Sequence, residues 1–173
     1  MPLSTLKTKI KSKQAKLAII GLGYVGLPVA CSFAEKGFDV LGVDIAEDRI
    51  TKINNGISPI EGDEPGLAEL IDSVVGKKLL RASSDYADLA DRDVILISVE
   101  TPVDEQHRPQ YVALRAVLAS LGPVLKDGGL VVIESTIAPG TMNSLVRPLL
   151  EKSSGKQINE GFFLGNCPER VMP

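Results

Sequence analysis

Histidine is almost missing from this chain. His107 is the only one in 173 residues, and just two cysteines, Cys31 and Cys167, accompany it. Resident metal sites are built from clusters of such ligands, so no metal centre is expected. Two cysteines make no disulfide framework either, and a reducing, cytoplasmic setting is the simpler expectation. No apolar run approaches membrane-spanning length. A net charge of −3 gives no reason to expect nucleic acid as a partner. The one clearly basic segment, Lys7 to Lys16, lacks the apolar core and cleavage site of a secretory signal. It reads as part of a solvated N-terminal tail covering residues 1–15. With 44% hydrophobic and 24% charged residues, positions 16–173 suit one globular domain with a sizeable core.

Glycine, by contrast, is concentrated where it costs most. The stretch Ile19-Ile20-Gly21-Leu22-Gly23-Tyr24-Val25-Gly26-Leu27-Pro28 places three glycines directly behind an apolar run. Glycine loses more conformational entropy on folding than any other residue, so this spacing needs a physical reason. Gly-x-Gly-x-x-Gly after a strand lets the chain turn sharply, brings main-chain N–H groups to a pyrophosphate, and lets the following helix lie against the sheet. The positive end of that helix then faces the anion. A glycine-rich turn with no ligand would have the same pattern, and the context separates the two. Lys16 to Ile20 is a short buried-type strand, and Val29, Ala30, Phe33 and Ala34 carry a helical apolar stripe. Pro28 fits in or beside the first turn of a helix starting near Gly23. Gly37 closes that helix, and Phe38 to Asp44 is a second strand ending in an acid. An acid about 20 residues beyond the glycines is where a dinucleotide site needs a carboxylate for the adenosine ribose hydroxyls. Asp44 would repel a 2′-phosphate, which points to NAD rather than NADP.

Strand and helix signals then keep alternating. Helices are expected near Glu47–Ile53, Leu67–Val75, Tyr86–Ala90, Val112–Leu125 and Met142–Lys152. Strands are expected at Leu79–Ala82, Val94–Val99, Gly129–Thr136 and Gly161–Asn166, with Asn54 to Gly66 an irregular excursion. Buried-type strands alternating with helices predict a Rossmann-type α/β fold: a doubly wound parallel sheet, strand order 3-2-1-4-5-6, with helices on both faces. Ligands of such sheets lie beyond the carboxyl ends of the strands. Thr101 follows the fourth strand there, Ser135 and Thr136 end the fifth, and Glu169 follows the sixth. Each alone is equally consistent with turn capping, and Glu169 beside Arg170 with a surface pair.

Taken in order, "GLGYVGLP", Asp44, "ISVETP" (Ile97 to Pro102), "ESTIAPGT" (Glu134 to Thr141) and "NCPERVMP" (Asn166 to Pro173) resemble the UDP-glucose/GDP-mannose dehydrogenase family over nearly the whole chain from Lys16. The ending "CPERVMP" is most similar to the UDP-N-acetylmannosamine dehydrogenases. The resemblance implies oxidation of a UDP-sugar C6 alcohol to the carboxylate with two NAD, through an aldehyde-level intermediate held on a cysteine as thiohemiacetal and thioester. It implies that Thr136 and Glu169 position and activate water and move protons, a task suited to a hydroxyl and a carboxylate. It also implies that Thr101 and Thr136 contact the cofactor and that Gly21, Gly23 and Gly26 shape its loop. The main-chain N–H groups of Tyr24 and Val25 would hold the pyrophosphate, with Arg49 against the adenosine ribose beside Asp44.

Two positions depart from the family pattern: Glu100 replaces a common proline, and Pro173 stands where UDP-glucose enzymes often have a second glutamate. Family members are more than twice as long, and their lysine, asparagine and nucleophilic cysteine lie in the part absent here. The expectation is therefore a chain truncated before the central helix and substrate domain, inactive alone, from a protein that assembles as a homodimer or larger homo-oligomer. Cys167 belongs to the strand-end motif and is expected to be a small, partly buried side chain, like Cys31 in the first helix. His107 is expected to face solvent. The competing class is a stand-alone NAD-sensing or regulatory module without catalysis. A hydroxyacid-type dehydrogenase would need a catalytic Lys or His that is not found.

Overall fold

The computed structural model describes residues 1–62 and 64–168; Glu169 and the rest of the closing motif lie outside the described residues. Six parallel strands form one sheet in the order β3-β2-β1-β4-β5-β6. They are β1 (Lys16–Ile20), β2 (Asp39–Val43), β3 (Leu80–Ser83), β4 (Val94–Ile97), β5 (Gly129–Ile133) and β6 (Phe162–Asn166). The sheet order and the parallel pairing are those read from the sequence. Chain direction across the sheet reverses between β1 and β4, which makes the gap above these two strands the switch point where ligands of open α/β sheets bind.

Alternation along the central strands sends side chains to two cores. Leu17, Ile19, Val94 and Leu96 pack on the side of helices α2 (Gly26–Glu35) and α4 (Leu67–Gly76). Ala18, Ile20, Ile95 and Ile97 pack against α5 (Val112–Leu121) and α6 (Arg147–Ser154). Burial on both faces explains why β1 and β4 read as continuous apolar runs. In α2 the buried set Leu27, Ala30, Cys31 and Ala34 has helical spacing, and the chain leaves the helix at Gly37 with φ 92°. Between β2 and α4, α3 (Glu47–Asn54) buries Ile50 and Ile53 and places Glu47 and Asp48 in its first turn, where the helix dipole favours acids. Among the described residues no helix is long and apolar enough to cross a membrane.

Two helices are shorter than their patterns suggest, each because of a proline. Gly122–Val124 tightens into a 3₁₀ turn at the end of α5, since Pro123 has no N–H to extend the α-helical ladder. Met142–Val146 winds as a π turn before α6 begins. Pro148 cannot return a hydrogen bond to Ser144, and the turn in front of it opens.

The N-terminal segment corrects the expectation of a solvated tail. Leu3–Lys11 is helix α1, and Leu6 is buried in the core. Leu3, Leu6 and Ile10 form a sparse apolar stripe that the surrounding lysines mask. A buried carboxylate completes the docking: Asp93 accepts from Lys9 Nζ at 3.0 Å, from Lys126 Nζ at 2.8 Å and from the Lys16 N–H at 3.0 Å. Burial alone would push the Asp93 carboxyl up, but these three donors outweigh it and hold the group below the usual carboxylate range. A depressed folded-state pKa contributes stability that is present above the unfolded value, about 4, and is lost as pH falls through the folded value. Denaturant midpoints should therefore drop below about pH 4. Asp93→Asn should cost about 2–4 kcal/mol at neutral pH and flatten that acid limb, as equilibrium unfolding at several pH values would reveal.

Candidate cofactor site

Each glycine of the loop after β1 has its own geometric duty. Gly21 sits at φ 94°, and a β-carbon there would overlap the Ser98 carbonyl at the end of β4. One on Gly26 would overlap the Gly21 carbonyl oxygen. Gly23 is different: a β-carbon on it would meet nothing within 4 Å. The outer two glycines are thus required by the protein's own backbone, whereas the middle one leaves open the space that an approaching pyrophosphate would use. The N–H groups of Gly23, Tyr24 and Val25 have no backbone acceptor among the described residues, and they lie at the positive end of α2. The residues present therefore fit a dinucleotide.

Asp44 follows β2 and is 7% exposed. Its carboxylate accepts from the Leu22 N–H at 2.8 Å and from the Ala46 N–H at 2.9 Å. Arg49 Nη1 lies 3.0 and 2.9 Å from its two oxygens. These contacts engage both oxygens, with a single guanidinium nitrogen of the partly exposed Arg49 bridging them. Tyr86, in the 3₁₀ turn Tyr86–Leu89, stands close enough to register the charge: burial first, then the Asp44 carboxylate, raise its phenol above the ordinary value. No periodicity or motif in the sequence marked Tyr86 as a neighbour of Asp44.

On the other side of the switch point, hydrogen bonds join the ends of β4 and β5. Ser135 Oγ accepts from the Val99 N–H at 2.9 Å and donates to the Val99 carbonyl at 2.7 Å. Thr101 Oγ1 donates to the Thr136 carbonyl at 2.7 Å. Thr136 itself is exposed. Ser135 therefore has the backbone role that turn chemistry allowed, and Thr101 supports Thr136 through its main chain. Tyr24, 58% exposed, ties the glycine loop to the irregular excursion by donating from its hydroxyl to the Glu61 carbonyl at 2.8 Å.

The structure separates the cysteines. Cys31 is buried, which pushes its thiol up to about 12 and keeps it protonated at neutral pH. Cys167 is exposed rather than partly buried. Its N–H donates to the Ile133 carbonyl at 2.9 Å, but β6 is an edge strand whose burial fades toward its end, leaving the side chain uncovered. His107 is exposed, at φ 57° in the loop before α5. Among the described residues no group of three or more His, Cys, Asp or Glu side chains is arranged to hold a metal.

The family description "UDP-glucose/GDP-mannose dehydrogenase family, NAD binding domain" matches residues 15–173. The chain belongs to this family. Its cofactor is NAD. Among similar proteins, the UDP-glucose 6-dehydrogenase of Haloferax volcanii is 40% identical over 157 residues, 89% of this chain and 36% of the relative. The UDP-N-acetyl-D-mannosamine dehydrogenase of Pyrococcus horikoshii is 38% identical over 158 residues, 91% of this chain and 37% of the relative. A crystal structure of a ternary complex of GDP-mannose dehydrogenase from Pseudomonas aeruginosa superposes with a TM-score of 0.86 at 34% identity, covering 91% of this chain and 36% of that one. The chain thus spans little more than a third of the length of these relatives.

The differing duties of the glycines give a paired test. Gly23→Ala should fold with stability within about 1 kcal/mol of the parent yet lose NAD affinity by about tenfold or more. Gly26→Ala should lose about 3 kcal/mol of stability, because the backbone has to shift. Thermal melts and calorimetric NAD titrations would read both.

Proposed function

We propose that residues 16–173 are the cofactor domain of a nucleotide-sugar 6-dehydrogenase that oxidises the C6 alcohol of UDP-N-acetylmannosamine to the carboxylate with two NAD. The observation that carries the reading is the pairing of the open Gly23 position with a buried acid, Asp44, hydrogen-bonded to Leu22 inside the same loop. Support for the sugar comes from the "CPERVMP" ending and from relatives named UDP-N-acetyl-D-mannosamine dehydrogenase in Pyrococcus horikoshii and Methanococcus maripaludis. The protein works in the cytosol, as a homodimer or larger homo-oligomer.

When bound, NAD supplies the hydride acceptor. The chain's own part is to hold and orient. The loop N–H groups of Tyr24 and Val25 take the pyrophosphate, while Asp44 accepts from the adenosine ribose hydroxyls with Arg49 alongside. At the other end of the crevice, Thr101 holds Thr136. The Thr136 hydroxyl orients water, and the Glu169 carboxylate accepts its proton in the hydrolytic half of the reaction. In the sequence Thr136 follows β5 and Glu169 comes after β6, two strands on the other side of the switch point from β2, which Asp44 follows.

Three experiments test this. NAD should bind more tightly than NADP, and Asp44→Ala should weaken NAD binding by about tenfold or more while narrowing the preference; equal affinity of the parent chain for both would refute the ribose assignment. The chain alone should produce no NADH from UDP-N-acetylmannosamine. In a protein of the relatives' length, Glu169→Gln should slow hydrolysis by about 10²–10⁴-fold in single-turnover kinetics and leave NAD affinity unchanged.

A further inference from the structure

The segment carrying Thr136 is held from a direction that no motif announces. Tyr111 lies immediately before α5 and is half-buried. Its hydroxyl accepts from the Ala138 N–H at 2.9 Å and lies 3.3 Å from the Thr141 hydroxyl, which is itself buried. Between those contacts the chain makes a tight turn, with the Thr141 N–H donating to the Ala138 carbonyl at 3.1 Å and Gly140 at φ 89°. One phenol therefore clamps both ends of the Ala138–Thr141 turn.

Upstream, Ser135 is latched to Val99, and the Thr136 carbonyl takes the Thr101 hydroxyl. Groups that follow β4 thus hold the chain from Ser135 up to the Thr136 carbonyl. Beyond that carbonyl, the next side-chain hydrogen bond to this backbone is the one from the Ala138 N–H to the Tyr111 phenol. Without it, the Ala138 N–H would lose its partner, and Ala138 to Gly140 would be held by the turn and by the core packing of Ile137.

We infer that Tyr111 is a positioning residue for Thr136: its hydroxyl sets the 136–141 turn and through it the nicotinamide end of the cofactor crevice, without touching the cofactor. The inference rests on the assignment of Thr136 to that end. It predicts an effect confined to one half of the dinucleotide, which a general loss of stability would not produce.

The test compares Tyr111→Phe with the parent chain using two probes. ADP-ribose has the adenosine and pyrophosphate groups but no nicotinamide, and NADH reports on its ring through its fluorescence. Tyr111→Phe should bind ADP-ribose within about twofold of the parent. It should bind NADH about three- to tenfold more weakly, the range for one neutral hydrogen bond lost. The emission of bound NADH should also shift toward that of the free coenzyme. Thr141→Val should show a smaller change in the same direction, and adding it to Tyr111→Phe should do little more, because both act on one clamp. Amide exchange at Ala138 should accelerate in Tyr111→Phe and provides a readout even if that variant is less stable.

Unchanged NADH binding and emission in Tyr111→Phe would overturn the inference, as would an equal loss of ADP-ribose and NADH. Failure of the underlying assignment has a different signature: the parent chain itself would bind ADP-ribose but leave NADH emission unaltered on binding, and the inference would fall with it.

Discussion

Helix α2 can lie against the sheet only because Gly26 has no side chain. The space a β-carbon would need is filled by the carbonyl oxygen of Gly21, and Gly21 in turn has no room for a β-carbon of its own beside the Ser98 carbonyl just beyond β4. This run of backbone contacts brings the first turn of α2 close above the switch point. A bulkier residue at either position would lift the helix and move its N–H groups off the crevice axis. The open space at Gly23 has value only because its two neighbours fix where that space lies.

Around this fixed point the two halves of the crevice are held by different means. The side that follows β2 uses charge: one buried carboxylate gathers two main-chain N–H groups and a guanidinium. The opposite side uses neutral hydroxyls, with Ser135, Thr101 and Tyr111 each bonded to main chain. Ionic contacts weaken with salt, whereas the neutral hydroxyl clamps do not. The distribution suits a site in which one end anchors the ligand and the other has to keep its geometry.

Much of this is legible in the amino-acid sequence. The strand order, the glycine loop and Asp44 follow from local rules, in which a period, a turn residue or a fixed spacing carries the information. Pro123 and Pro148 stand in plain view too, but apolar spacing takes no account of them, so the two helices they shorten read as longer than they are. What escapes such rules is long-range pairing. Nothing near Lys9 indicates that it will meet Asp93, 84 residues away, so α1 reads as a tail. Nothing in "PQYVAL" marks Tyr111 as the residue that holds Ala138. Cys167 reads as partly buried if a strand end is assumed to be covered, and an edge strand does not guarantee cover.

The bond from Leu22 to Asp44 has a consequence for how coenzyme choice can change. The carboxylate that would select against a 2′-phosphate is also the acceptor that keeps the glycine loop in shape. Preference and loop geometry are therefore one variable rather than two. A lineage or an engineer moving toward the phosphorylated coenzyme cannot simply delete the charge, since a small apolar residue would leave the Leu22 amide facing an empty buried site. A route that preserves the loop passes through a neutral acceptor such as asparagine, which keeps the bond while discarding the charge. Arg49, freed from its ion pair, would then be the cation already in place to meet the phosphate.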